Sequence, residues 1–407
     1  MAKTINGASG SSTASTANTT QYWFPLGSME TGTTESQKQI ILRSTGTISN
    51  IRVAITANSI ASGTTTFKLR KNAASGNGSV TITASTTGVY EDTTNTDTIA
   101  AGDKICFMTT PGAATGTITL SNVGYTFDAT NASDACSKLA VSKALSVSTS
   151  AVTRYYTLSG ECVDKATESE AQCRQRKAGT FKNLTVQVTT NTRTTATTYS
   201  TRKGGVTQNL TLSVGSSTTG FFEDTTHSDT VAAGEDWNYI QVYGTGATAF
   251  VTQHIAVDFF STASIGQCLA GRTTGITYNA NDALFDALCG RNTGGGTESF
   301  TQSKARAAYT FSELSIAVTT NTITASTAFR LRVNGANGNQ LATVTSSGTG
   351  VFSDSTNTDT VAIGDNVNYG IVCGATGTSM AVRQMSVWTL VSSVTIPQTV
   401  YVEWEEA

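Results

Sequence analysis

The chain has 407 residues, of which 13% are charged, with a formal net charge of −2. That length suits about three ordinary domains, and so few charges give no electrostatic drive toward nucleic acid or an acidic membrane. No window approaches the roughly 18 continuous apolar residues of a membrane span.

The first twenty residues, MAKTINGASGSSTASTANTT, are mostly Gly, Ser, Thr and Ala with no apolar core. They predict a flexible arm over 1–20 and no signal peptide. Beyond them, one stretch returns three times. EDTTNTDTIAAGD at 91–103 becomes EDTTHSDTVAAGE at 223–235 and SDSTNTDTVAIGD at 353–365, and each later copy keeps 9 of the 13 positions. The spacing is 132 residues and then 130, far beyond a solenoid repeat and the size of a small domain. Upstream, ISNIRVAITAN, FKNLTVQVTTN and FSELSIAVTTN recur in step, and so do TFKLRKN, TYSTRKG and AFRLRVNG. Three homologous units follow, bounded at 21–130, 131–262 and 263–393, with a last strand over 394–407.

Within each unit apolar residues alternate with polar ones. Ile51, Val53 and Ile55 match Leu184, Val186 and Val188, and Leu314, Ile316 and Val318. Val123, Tyr125 and Phe127 match Ile255, Val257 and Phe259 near the end of a unit. Period-two patterning predicts antiparallel sheet with one face buried. About eight such runs per unit, at roughly 8–12-residue spacing, predict a sandwich or barrel. Residues 132–145 and 279–290 are the best helix candidates and read as short connectors between units.

The repeated stretch carries Asp92 and Asp97, Asp224 and Asp229, and Asp354 and Asp359, then Gly102, Gly234 and Gly364. Paired carboxylates suit glycoside hydrolysis, and acidic loops suit calcium, which wants six to eight oxygens. Each copy has few acids and no EF-hand pattern, so structural turns account for the recurrence: Asp and Asn bond their own backbone, and Gly permits the tight bend. Only two His are present. His227 stands where the other copies have Asn95 and Asn357, which marks a turn residue. His254 falls opposite the Ile255/Val257 face and is expected in solvent. No nucleophile-elbow, zincin or phosphate-loop motif occurs, so no catalytic residue, cofactor or metal is assigned.

Glu35, Glu168 and Glu298 recur in a Thr-Glu-Ser motif, with Arg43, Arg176 and Arg306 eight residues later. They suggest an ion pair, within a unit or between units, or merely exposed charges. Seven Cys occupy non-equivalent places. Cys162/Cys173 and Cys268/Cys289 each flank an inter-unit segment and are candidate disulfides. The alternative is buried thiols.

The strand FRLRVNG (329–335), the segment GVFSDSTNTDTVAIGD (350–365) and the closing alternating strand together resemble the TNF/C1q-type jelly roll found in bacteriophage virion proteins and bacterial surface fibres. The resemblance implies an all-β fold of three tandem jelly-roll sandwiches, and trimer-like association. The units would form either a pseudo-trimer within one chain or a row of domains wound with two other chains. It implies a non-enzymatic virion structural protein, a capsid decoration or cement protein on the particle exterior, assembled in the host cytoplasm. Its partners would be the major capsid protein, other virion proteins or itself, with no nucleic acid or membrane. A tail fibre that binds host glycan and a bacterial adhesin are the alternatives. The aromatics Trp23, Trp237 and Trp388 fall in predicted strands, which favours packing over sugar binding.

Overall fold

The computed structural model describes residues 2–14, 19–112, 115–131, 135–147, 151–246, 249–262, 266–272, 277–291 and 295–391. The expected strand over 394–407 lies outside them. The described residues form strands and short 3-10 turns, with no α-helix among them.

Each unit is a two-sheet sandwich. In the first unit one sheet runs Ala2–Ala14, Ile118–Ala129, Gly46–Asn58, Gly88–Ile99, and the other runs Gln21–Trp23, Lys104–Thr110, Thr64–Lys71, Ala74–Thr83. Apart from the Thr64–Lys71/Ala74–Thr83 hairpin, successive strands pass from sheet to sheet, and the first strand lies beside the last. That is the order of an eight-stranded jelly roll. The second and third units repeat it: Ser137–Val147 pairs with Phe250–Ser261, and Gly266–Arg272 pairs with Gly377–Val391.

Two expectations are corrected here. The 1–20 segment is not a free arm, because Ala2–Ala14 is the first strand of the first unit and pairs along Ile118–Ala129. The 132–145 and 279–290 segments are not helical connectors, because they supply Ser137–Val147, Thr277–Asn279 and Ala283–Asp286, opening strands of the later units. In each case an otherwise open sheet edge recruits a small-residue or mixed segment whose local preference is weak.

The alternating apolar residues meet inside each sandwich. Val53, Leu184, Leu314 and their row-mates are buried, as are Phe67, Tyr199 and Phe329 on the facing sheet. The expectation of one solvent-facing sheet surface fails for the sheet that holds the first and last strands. Arg52, Gln187, Asn122, His254, Asp258 and Gln384 on its outer side are also buried.

A neighbouring unit covers that outer side. The two-residue strands Gly27–Ser28, Gly160–Glu161 and Gly290–Arg291 each lie parallel to their own unit's first strand. Each also touches the first strand of the following unit, the third unit returning to the first, and the three meet one another. The units therefore close a ring about a pseudo-three-fold axis.

Candidate functional site

The repeated acidic stretch is not a chain reversal. In the first unit both halves of Gly88–Ile99 pair with the same strand, Gly46–Asn58, and the register skips between Ser49 and Ile51. Residues 93–95 bulge out there, opposite Asn50, whose φ is +53°. A bulge strips N–H groups of their sheet partners, and Asp92 recovers them. Its Oδ1 accepts from the Thr94 and Asn95 backbone at 3.1 and 3.0 Å, and its Oδ2 accepts from Ser79 N at 2.8 Å on the opposite sheet. Asp97 accepts from Asn77 N at 2.7 Å and Gly78 N at 2.8 Å, also on that sheet.

The other units copy this clamp. Asp224 holds Thr226, His227 and Thr211, and Asp354 holds Thr356, Asn357 and Leu341. Asp229 takes Asn209 N at 2.7 Å and the Thr201 hydroxyl, and Asp359 takes Asn339 N and Gln340 N. Burial alone would raise the Asp92 carboxyl, but the Ser79 and Asn95 donors outweigh it and hold the pKa down at about 2. Asp224 and Asp354 are lowered by the same balance. His227 Nδ1 lies 3.0 Å from Asp224, where Asn95 and Asn357 donate to their own aspartates. Gly102, Gly234 and Gly364 sit at φ of +98°, +89° and +94° in the following tight turn. These aspartates spend their oxygens joining the two sheets of a sandwich.

A further recurring residue belongs to this clamp. Asn77, Asn209 and Asn339 each donate their side-chain amide to the carbonyl of the residue before the second aspartate. The signal was present in the sequence as one Asn repeated at equivalent distances, hidden in strands of otherwise unlike composition.

The Thr-Glu-Ser motif and the following arginines do not pair with each other within a unit. Glu35 takes a bidentate pair from Arg70 (3.0 and 2.8 Å), Glu168 from Arg202 (2.7 and 2.9 Å) and Glu298 from Arg332 (2.5 and 3.1 Å). These pairs pin the 3-10 turns Glu35–Gln37, Glu168–Glu170 and Glu298–Phe300 to their own sandwich. The pinned turns face the next unit: Ser36 O accepts from Gln187, Ser169 O from Arg383, and Phe300 O from Ser121. The arginines cross the same interfaces. Arg43 pairs bidentately with Glu223, Arg306 lies 3.2 Å from Glu91, and Arg176 donates to the Ser315 hydroxyl at 3.1 Å.

Aromatic contacts complete these interfaces. Trp388 meets Phe259 edge-on at 6.3 Å, and Lys104 lies 4.4 Å above the Phe221 ring. His254 is not in solvent. It is fully buried, edge-on to Phe24 of the first unit at 6.3 Å, and neither ring nitrogen has a hydrogen-bond partner among the described residues. Period-two reasoning placed it on the outer face correctly, but the adjoining unit covers that face. Burial, with the Lys138 charge, pushes its pKa down to about 3, so the ring is neutral.

Trp23, Trp237 and Trp388 are buried and offer no exposed platform for a sugar. Cys162 and Cys173 pack in the core of the second unit, and no disulfide joins them. The Cys268 side chain of the Cys268/Cys289 pair lies outside the described residues. No group of three or more His, Cys, Asp or Glu gathers for a metal among the described residues.

No family model matches the chain, and no curated protein matches it. Among solved structures it is similar to a chain described as "The Triple Jelly Roll Fold and Turret Assembly in an Archaeal Virus". The identity is 13%, covering 95% of this chain and 90% of that one, with a TM-score of 0.21.

Proposed function

We propose that the chain is a non-enzymatic structural protein of a virus particle, acting as one rigid three-fold block. The observation that supports this most directly is the closed ring. Three jelly rolls satisfy one another's interfaces, and the recurring carboxylates bond backbone and arginine rather than converge on a ligand. Such a block stabilises a shell through burial and shape rather than chemistry. Within that reading the specific role is a decoration or cement protein on the exterior of a bacteriophage head, where the pseudo-three-fold surface would meet three-fold or quasi-three-fold positions of a major capsid protein lattice. The sequence resemblance to TNF/C1q-type domains of virion proteins supports the same assignment.

The test is immunogold labelling of particles from the source cells with antibody against the purified chain. Label over the head surface is the expected result. Label confined to tail tips would replace this role with receptor binding, and particles without label would refute a virion role.

A further inference from the structure

The second unit buries a lysine against an aspartate at an inter-unit boundary. Lys138 lies on Ser137–Val147 and Asp258 on Phe250–Ser261, directly opposite each other in the antiparallel register. Their side chains are 5% and 2% exposed, with Nζ 3.0 Å from Oδ1. At that distance the contact still misses hydrogen-bond alignment, and Lys138 Nζ has no hydrogen-bond partner among the described residues. Oδ2 is held by Asn183 Nδ2 at 2.8 Å, and the Arg43 guanidinium of the first unit adds positive charge on the carboxylate. Leu42, Tyr125 and Phe127 line a cavity of about 20 Å³ beside the pair.

Keeping two ions out of water is costly, and one off-axis contact recovers little of that cost. Passing a proton from the ammonium to the carboxylate removes both charges. It also leaves an amine nucleophile 3.0 Å from one oxygen of the carboxyl group whose carbon it would attack.

We propose that Lys138 and Asp258 condense into an intramolecular isopeptide bond. The Nζ lone pair attacks Cγ, and the new N–C bond forms as one C–O bond breaks. The oxygen departs as water, carrying the transferred proton and one from nitrogen. Ammonium plus carboxylate thus becomes amide plus water, with no oxidant or co-reactant. Asn183 Nδ2 and the Arg43 charge stabilise the oxyanion of the tetrahedral intermediate, and the adjoining cavity has room for the departing water. The bond ties the first strand of the unit to its last, closing the whole sandwich covalently.

The same register recurs in the first unit, where Lys3 stands opposite Asp128 and Asp128 Oδ1 is buried without a hydrogen-bond partner among the described residues. In the third unit Gln267 stands opposite Thr389, which cannot form this bond.

The experiment is intact mass spectrometry of the full chain in denaturant, followed by a tryptic map. The expected result is a mass below the sequence value by one water per bond, together with a branched peptide joining the Lys138 and Asp258 segments. Lys138→Arg should abolish that branch. Asp258→Asn should restore it with loss of ammonia in place of water. A wild-type chain at full sequence mass, cleaved normally after Lys138, overturns the proposal whether or not either variant folds. A deficit without the branched peptide overturns it as well.

Discussion

The interface between the first and second units and that between the second and third carry the same arginine differently. Arg43 meets Glu223, on the strand that carries the acidic motif, as Arg306 meets Glu91. At the equivalent place in the third unit stands Ser353, and Arg176 finds no carboxylate there. The negative charge has moved to Glu313, the bulge residue that corresponds to Asn50 and Asn183, and Lys177 holds it at 2.9 Å. The lesson is that the interface needs a carboxylate near the arginine, not a particular strand to carry it. A partly buried guanidinium without a counter-charge is costly, and a carboxylate from either strand offsets part of that cost.

The largest effect is expected from removing the aromatic wedge of the second interface. Trp388→Ala should lower unfolding stability by about 3–5 kcal/mol, read from denaturant titration. A loss below about 1 kcal/mol would show that this interface contributes little to the fold.

Acid should weaken the first interface ahead of the second. His254 stays neutral in the fold and titrates near its ordinary pKa of 6.5 when unfolded. Its contribution is therefore complete above pH 6.5 and falls as pH drops toward about 3, by up to about 1.4 kcal/mol per unit. His254→Gln copies Gln384 of the third unit and should flatten that slope. The lowered Asp92 contributes above its unfolded pKa of 3.8 and loses that contribution as pH falls toward about 2. Asp92→Asn should therefore lower stability across the neutral range and flatten the profile at its acid end.

Smaller still is the ion pair itself. A double-mutant cycle with Arg43→Met and Glu223→Gln should give a coupling of about 1 kcal/mol at this half-buried site, declining with added salt. Coupling indistinguishable from zero would reduce the pair to an exposed contact. The smallest effect is the most direct check on the comparison. Ser353→Glu combined with Glu313→Asn installs the first interface's arrangement at the second, and stability should change by less than about 0.5 kcal/mol. Ser353→Glu alone, which crowds two carboxylates near Arg176, should be the less stable of the two variants.

The all-β class, the three units and the buried rows at Val53, Val186 and Ile316 were legible because strand patterning is local and was printed three times. The Asp92 clamp was legible as turn chemistry, but its reach to Ser79 and Asn77 on the other sheet was not. Nothing in a linear spacing of 13 or 20 residues says which sheet faces which. The opening segment and 132–145 misled because Ser, Gly and Ala have weak preferences, and pairing with a waiting edge strand overrides them.

By itself the sequence determined the repeat, the strand period and which residues seek a core, since each depends only on neighbours along the chain. The tertiary structure decided the ring, and with it the environment of every polar residue on the outer face of the sheet. His254, Arg52 and Asp258 alternate as solvent residues should, and they lost their water because a sister unit more than a hundred residues away settled over them.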